Sequence, residues 1–284
     1  RCADQTLAAS ALNAMALLSL QRGRSPQLPL SLSGYAYLSS WLYGDAPLAK
    51  RLAQQSLQLC QRSDNRSIAA KTQFLCGAKV HHWSDHLKES LPLLDSGREL
   101  GLESGDWPTA GQALLVSANN RWMCGQPLAD LGGRYRSQLQ VLKQINNPHL
   151  LRSFQQSALY LLNQLQGDDS ACGTVDPIDQ EMSASALIDA SKGNDSSDSD
   201  SINSLEATSD WHLVAKLVVS YLHDDQQSWP QLIARETELE QQLGGYYAVT
   251  EGMYFIALMR LEQCRRVSSE QQNQLLNLIT HTET

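Results

Sequence analysis

No stretch of this chain is apolar for long enough to span a membrane as a helix. There is no excess of positive charge either. The formal net charge is -8 at pH 7, which argues against nucleic acid or an anionic membrane as the main partner. The six cysteines, Cys2, Cys60, Cys76, Cys124, Cys172 and Cys264, contain no CxxC pair. They read as buried thiols in a reducing cytoplasm, not as a disulfide frame or a zinc site. GxxxxGK[ST], GxSxG, HExxH and GxGxxG are all missing, so no local context marks a phosphate loop, a nucleophile elbow or a metalloprotease helix. No segment shows the alternation of a half-buried strand. The first twenty residues carry Asp4, Gln5 and Asn13 within an amphipathic pattern, unlike the apolar centre of a signal peptide. With Arg1 in first place, the chain is expected to be a piece of a longer protein.

What remains is helix after helix. With 284 residues, of which 42% are hydrophobic and 18% charged, one elongated or two compact domains can be cored. Ser84 to Asp106 predicts one amphipathic helix, with Leu87, Leu91, Leu94, Leu100 and Leu102 as its apolar stripe and Ser84 as N-cap. Helices are also expected over 1–21, from near Leu30 to Gly44, from Pro47 (with Leu48, Leu52, Ala53 and Leu59 on one face) to about 62, and over 66–82. Others are expected over 107–124, 127–145 and 149–166, then 211–225, 229–243, 246–264 and 268–281. The turns at Gly44, Ser84, Gly125 and Gly167 recur every 40–42 residues, and those near Asp64, Gly105 and Asn147 recur every 41–42. Such a period predicts an all-α, TPR-like right-handed α-solenoid of antiparallel helical hairpins. An aromatic column, Trp41, Trp83, Trp122 and Tyr160, is expected in its core, with Trp83 and Trp122 largely buried.

Three regions follow. Residues 1–167 hold the N-terminal hairpin repeats, 168–210 an irregular insertion, and 211–284 C-terminal hairpins of the same solenoid. Within the insertion, the sequence allows a short helix around 178–190. The Ser/Asp-rich tract 191–204 predicts a loop without regular structure.

Three acidic or imidazole clusters invite chemistry. His81, His82, Asp85 and His86 have residue types that hold metals in phosphohydrolases, but they straddle a helix break, which removes the regular spacing a shared metal needs. An all-α metal-dependent hydrolase using this cluster is therefore an alternative, not the main reading. Asp168-Asp169 and His223-Asp224-Asp225 sit at turns and read as caps. The polar interruptions Lys71, Asn119, Asn120, Arg121 and Arg152 fall on the first helices of the pairs. Lys71, Asn119, Arg121 and Arg152 are the candidate ligand or partner contacts, and a carboxylate or anionic peptide is the ligand such cations would suit.

The run from 65 to 131, with the 149–166 helix, resembles the helical-repeat region of large bacterial multidomain signalling proteins. Its marks are the HW…H turn at 82–86, GLESGDW at 101–107 and W.CG..L at 122–128. Those proteins join a serine/threonine-kinase-like domain to a STAND/AAA-type ATPase, often closing with GAF and histidine-kinase domains. The resemblance implies a non-catalytic regulatory module of a cytoplasmic signal-transduction protein. It would need no cofactor or metal, and its partner would be a protein, a peptide or the neighbouring ATPase and kinase domains. A structural spacer is the remaining possibility.

Overall fold

The computed structural model describes residues 2–22, 25–62, 64–167 and 199–265, and among these there is helix but no strand. The helices are α1 (Cys2–Arg22), α2 (Leu28–Trp41), α3 (Ala46–Cys60), α4 (Arg66–Leu75), α5 (Leu91–Ser104), α6 (Trp107–Met123) and α7 (Leu128–Ile145). They continue with α8 (Pro148–Phe154), α9 (Tyr160–Gln166), α10 (Ser199–Leu222), α11 (Trp229–Ile233), α12 (Glu236–Leu243) and α13 (Tyr247–Arg265). The helix allowed at 178–190, the expected helix at 268–281 and the 191–198 part of the predicted loop lie outside the described residues. The rest of that loop, 199–204, is helical and belongs to α10. The tract runs on into Leu205, Glu206 and Ala207, all good helix formers.

The spacing read from the sequence is the spacing of real caps. Asn65, Asp106 and Asn147, 41 residues apart in both steps, open α4, α6 and α8 by accepting from Ile68 N, Thr109 N and Leu150 N. Asp45 does the same for α3, accepting from Leu48 N at 2.9 Å. Gly44, Gly125 and Gly167 end their helices with φ between 66° and 70°, a conformation that glycine adopts without strain. The fourth turn differs. Ser84 caps nothing. The chain runs through a 3-10 turn at His81–Trp83 and a second at Leu87–Ser90, and α5 begins only at Leu91, next to Pro92. His86 is the cap, its Nδ1 accepting from Lys88 N at 3.1 Å.

Two kinds of helix alternate. The first helices of the pairs, α2 and α6 above all, are buried on nearly every side. Serines that α2 buries return their hydroxyls to carbonyls three or four residues back, as Ser39 does to Tyr35 O at 2.9 Å. The second helices bury one stripe: Ala49, Ala53, Ser56 and Cys60 on α3, and Leu131, Tyr135, Gln138 and Leu142 on α7. The leucines predicted to line α3 flank that stripe; small residues hold its centre because the helices approach closely. On α5 the same places fall to Gly97 and Gly101, while Leu100 and Leu102 are only half-buried. Each first helix touches the next, α2 on α4, α4 on α6 and α6 on α8. Then α10 packs on α8 and α9, and α13 reaches back to α6.

A Cβ at Gly101 would meet Ala110 Cβ at 3.0 Å and Ala110 N at 3.1 Å, and backbone cannot step aside. One at Gly133 on α7 meets nothing within 4 Å. Gly101→Val is therefore expected to destabilise the fold by about 1–3 kcal/mol. Gly133→Ala is expected to stabilise it by up to about 1 kcal/mol. Urea denaturation of the two variants checks both signs.

Candidate functional site: an aromatic recess around Lys79

After Leu75 the α4 helix widens into a π turn, Cys76–Val80, in which His81 N donates to Cys76 O. The extra residue in such a turn re-aims the side chains beyond it, and π turns gather at functional sites. Here Cys76, Ala78 and Val80 are buried while Lys79 is half-buried. Its ammonium lies 4.6 Å from the ring centre of Tyr37 on α2 and 4.3 Å from that of Tyr246 in the α12–α13 turn.

The turn that brings Tyr246 in is fitted to α2. Tyr37 OH donates to Gly244 O at 3.3 Å, and Tyr37 stacks on Trp41 with ring centres 5.4 Å apart. A Cβ at Gly244 would stand 2.7 Å from Trp41, and one at Gly245, where φ is 82°, 2.4 Å from Tyr37, so any side chain there would push these rings aside. Behind it Tyr246 meets Trp211 of α10 edge-on, and Tyr247 meets the His82 ring at 6.0 Å.

Burial lowers the Lys79 pKa to about 8. Burial first, then His81 and Lys79, lowers that of His82 to about 4, so its imidazole is neutral near pH 7. Burial pushes the Tyr37 and Tyr246 phenols upward. Among the described residues no carboxylate pairs with Lys79, and Nδ1 of His82 is buried without a hydrogen-bond partner. Yet Tyr37, Trp41, Lys79, His82, Tyr246 and Tyr247 all keep part of their surface accessible. The cluster is therefore set deep but not sealed from solvent.

The residues singled out in the sequence lie elsewhere and are not brought together. Lys71 Nζ is 3.7 Å from Asp106 Oδ2, tying α4 to the cap of α6. Asn119 Nδ2 donates to Leu115 O at 2.9 Å and to Ser157 Oγ at 3.4 Å, and Asn120 Nδ2 to Ser90 Oγ at 3.2 Å. Arg121, 8% exposed, pairs with Asp95, which also accepts from Ser117. Arg152 is exposed on α8.

The imidazole cluster is dispersed as well. His81 stands 3.7 Å from Asp85, which Lys50 holds at 2.6 Å; His86 caps; His82 turns into the recess. Among the described residues no group of three His, Cys, Asp or Glu could hold a metal ion. Trp41, Trp122 and Tyr160 are half-buried, but Trp83 is 43% exposed, against expectation. The 3-10 turn swings its ring outward, where Nε1 donates to Lys79 O at 3.1 Å. Of the cysteines, Cys60, Cys76 and Cys264 are buried and free, and Cys124 is half-buried and free. A separate groove of about 610 Å³ lies where α3, α4 and α5 meet, but Arg66 and Glu103 on its lining pair with each other. No helix among the described residues is long and apolar enough to cross a membrane. No family model, no curated protein and no solved structure matches this chain.

Two outcomes follow from this geometry. Arg121→Ala leaves Asp95 without its cation in a partly buried seam and should cost about 1–3 kcal/mol, whereas Arg152→Ala should stay within about 0.5 kcal/mol in the same melts. The folded value of His82 lies below its ordinary 6.5, so the unfolded chain holds that proton more tightly. The stability it contributes is complete above pH 6.5 and is lost as pH falls toward 4. Melting temperatures from pH 7 to pH 4 should fall less steeply for His82→Phe than for the natural chain.

Proposed function

We propose that this chain is a non-catalytic, TPR-like helical-repeat module whose hairpins form a right-handed solenoid, and that it senses a ligand or partner on the face shared by its first helices. The observation that carries this reading is the recess itself: an ammonium with no counter-ion, held by aromatic rings on a face that is still partly accessible. The stacking of α2 on α4, α4 on α6 and α6 on α8 supports the repeat architecture. The α12–α13 turn seated against α2 supports a sensing role, since whatever enters the recess must act on a contact between residues 207 apart in sequence. By the resemblance of 65–131 to bacterial signalling proteins, the parent is a cytoplasmic kinase or STAND-type ATPase. The partner is then a protein, a peptide or the neighbouring domains.

The test belongs in the full-length protein. Tyr246→Ala removes one wall of the recess and the anchor of the turn. Kinase or ATPase output should change several-fold while the KM for ATP stays constant. Unchanged output from a folded variant would favour a structural spacer.

A further inference from the structure

We infer that the outer face of α1 is a dimer interface, on which α1 of a second copy of this chain packs antiparallel. The inference does not rest on the sensing role. From Gln5 to Gln21 the helix carries no charged residue. One side of it is occupied by α2: Leu12 presses on Gly34, where an added Cβ would stand 2.5 Å from its Cδ2, and Ala16 is buried. The other side is open. Leu7 is 70% exposed, Leu17 55% and Leu18 47%, and Ala11 and Ala14 between them are exposed as well. The second helices of the pairs meet water with charge instead, through Arg51 on α3, Glu99 and Glu103 on α5, and Arg134 and Arg136 on α7. A helix without charge on either side is normally buried on both, and a helical array needs a polar outer face at its end to stay dissolved. The open face of α1 therefore calls for a partner.

The order of residues says what that partner is. Leu7, Ala11, Ala14 and Leu18 follow at steps of four, three and four, which lines them up along one edge of the helix. The stripe reads the same from either end. Antiparallel pairing about a twofold axis between Ala11 and Ala14 sets Leu7 against the partner subunit's Leu18, and Ala11 against the partner subunit's Ala14. Such self-complementarity is what a twofold contact requires. Small residues at the crossing let the helix axes come within about 8 Å, and leucines close both ends. One step further out, the same register brings position 4, an aspartate, beside positions 21 and 22 of the other copy, a glutamine and an arginine. These are donors that suit a carboxylate. A parallel pair would set the two aspartates together and align the two macrodipoles. Each copy keeps its own α1–α2 packing in the dimer, since α2 holds the opposite side of α1. One helix per copy makes a small interface, so the dimer is a dissociable one.

The test is sedimentation velocity of the 284-residue chain over concentrations from about 1 to about 300 μM, where a monomer–dimer equilibrium with a Kd of about 1–100 μM is expected. Leu18→Glu should raise that Kd at least about tenfold, because each dimer then buries two carboxylates. Leu7→Glu, at the matching place, should do the same. Both positions face away from α2, and circular dichroism melts establish that the variants are folded; if one of them does not fold, the other carries the test. Asp4→Lys should weaken the dimer at least about threefold, and adding Arg22→Glu to it should restore the natural value. A chain that is still monomeric at about 300 μM overturns the inference and leaves the stripe to a helix of another kind. A dimer that the folded glutamate variants leave untouched overturns it as well. A dimer that they break but that Asp4→Lys does not weaken overturns the antiparallel arrangement.

Discussion

A cation with no anion is the constraint on which the middle of this molecule turns. Removing an ammonium from water costs several kcal/mol, even after relaxation. Each aromatic face returns about 1–2 kcal/mol when desolvated. The two rings beside Lys79 therefore offset much of the cost but not all of it, and the lowered pKa registers the remainder. The arrangement can exist because Tyr37, Lys79 and Tyr246 arrive from three distant parts of the chain, each on a rigid support. Tyr37 stands on a buried helix, Lys79 on a π turn locked into the core by Cys76, Ala78 and Val80, and Tyr246 on a turn that two glycines allow against α2.

The helix that follows that turn, α13, packs on α6. Helix α6 buries Ser117, Asn119, Asn120 and Arg121 as well as its alanines and leucines. Buried polar groups are tolerated only when paired, and the pairs point both ways along the stack. Asn120 reaches Ser90 before the α5 helix, Arg121 reaches Asp95 on α5, and Asn119 reaches Ser157 in the π turn between α8 and α9. Tyr135 of α7 adds a donor to Ala118 O at 2.7 Å. Polar residues that would serve a groove are here ties between α6 and the elements beside it. A register error between hairpins would leave several of these groups unpaired at once, which is a specific penalty that apolar packing alone does not impose.

Much of the helix order was legible because caps and turn glycines are local chemistry. Asn65, Asp106 and Asn147 work through their own next three residues, and Gly44 and Gly125 through their own φ. The buried stripes were less legible. A leucine pattern marks an apolar face but not the line of closest approach, which belongs to Ala49, Ala53, Gly97 and Gly101. The π turn left no periodic signal, so neither the outward swing of Trp83 nor the placing of Lys79 could be read. The recess was hidden for a stronger reason: its walls come from residues 37, 79 and 246, and no spacing rule joins them. The neighbouring pair Gly244-Gly245 was visible, but only as a helix end.

Whether Lys79 is an ammonium held without a counter-ion can be measured on the atom itself. A titration of the Lys79 side chain, followed by the chemical shift of its Cε carbon and assigned by its loss in Lys79→Met, reports the proton affinity inside the recess. A midpoint near 8 is the value this account requires. A midpoint at the ordinary lysine value of 10.5 would contradict it, because it would mean that water or a carboxylate already compensates the charge.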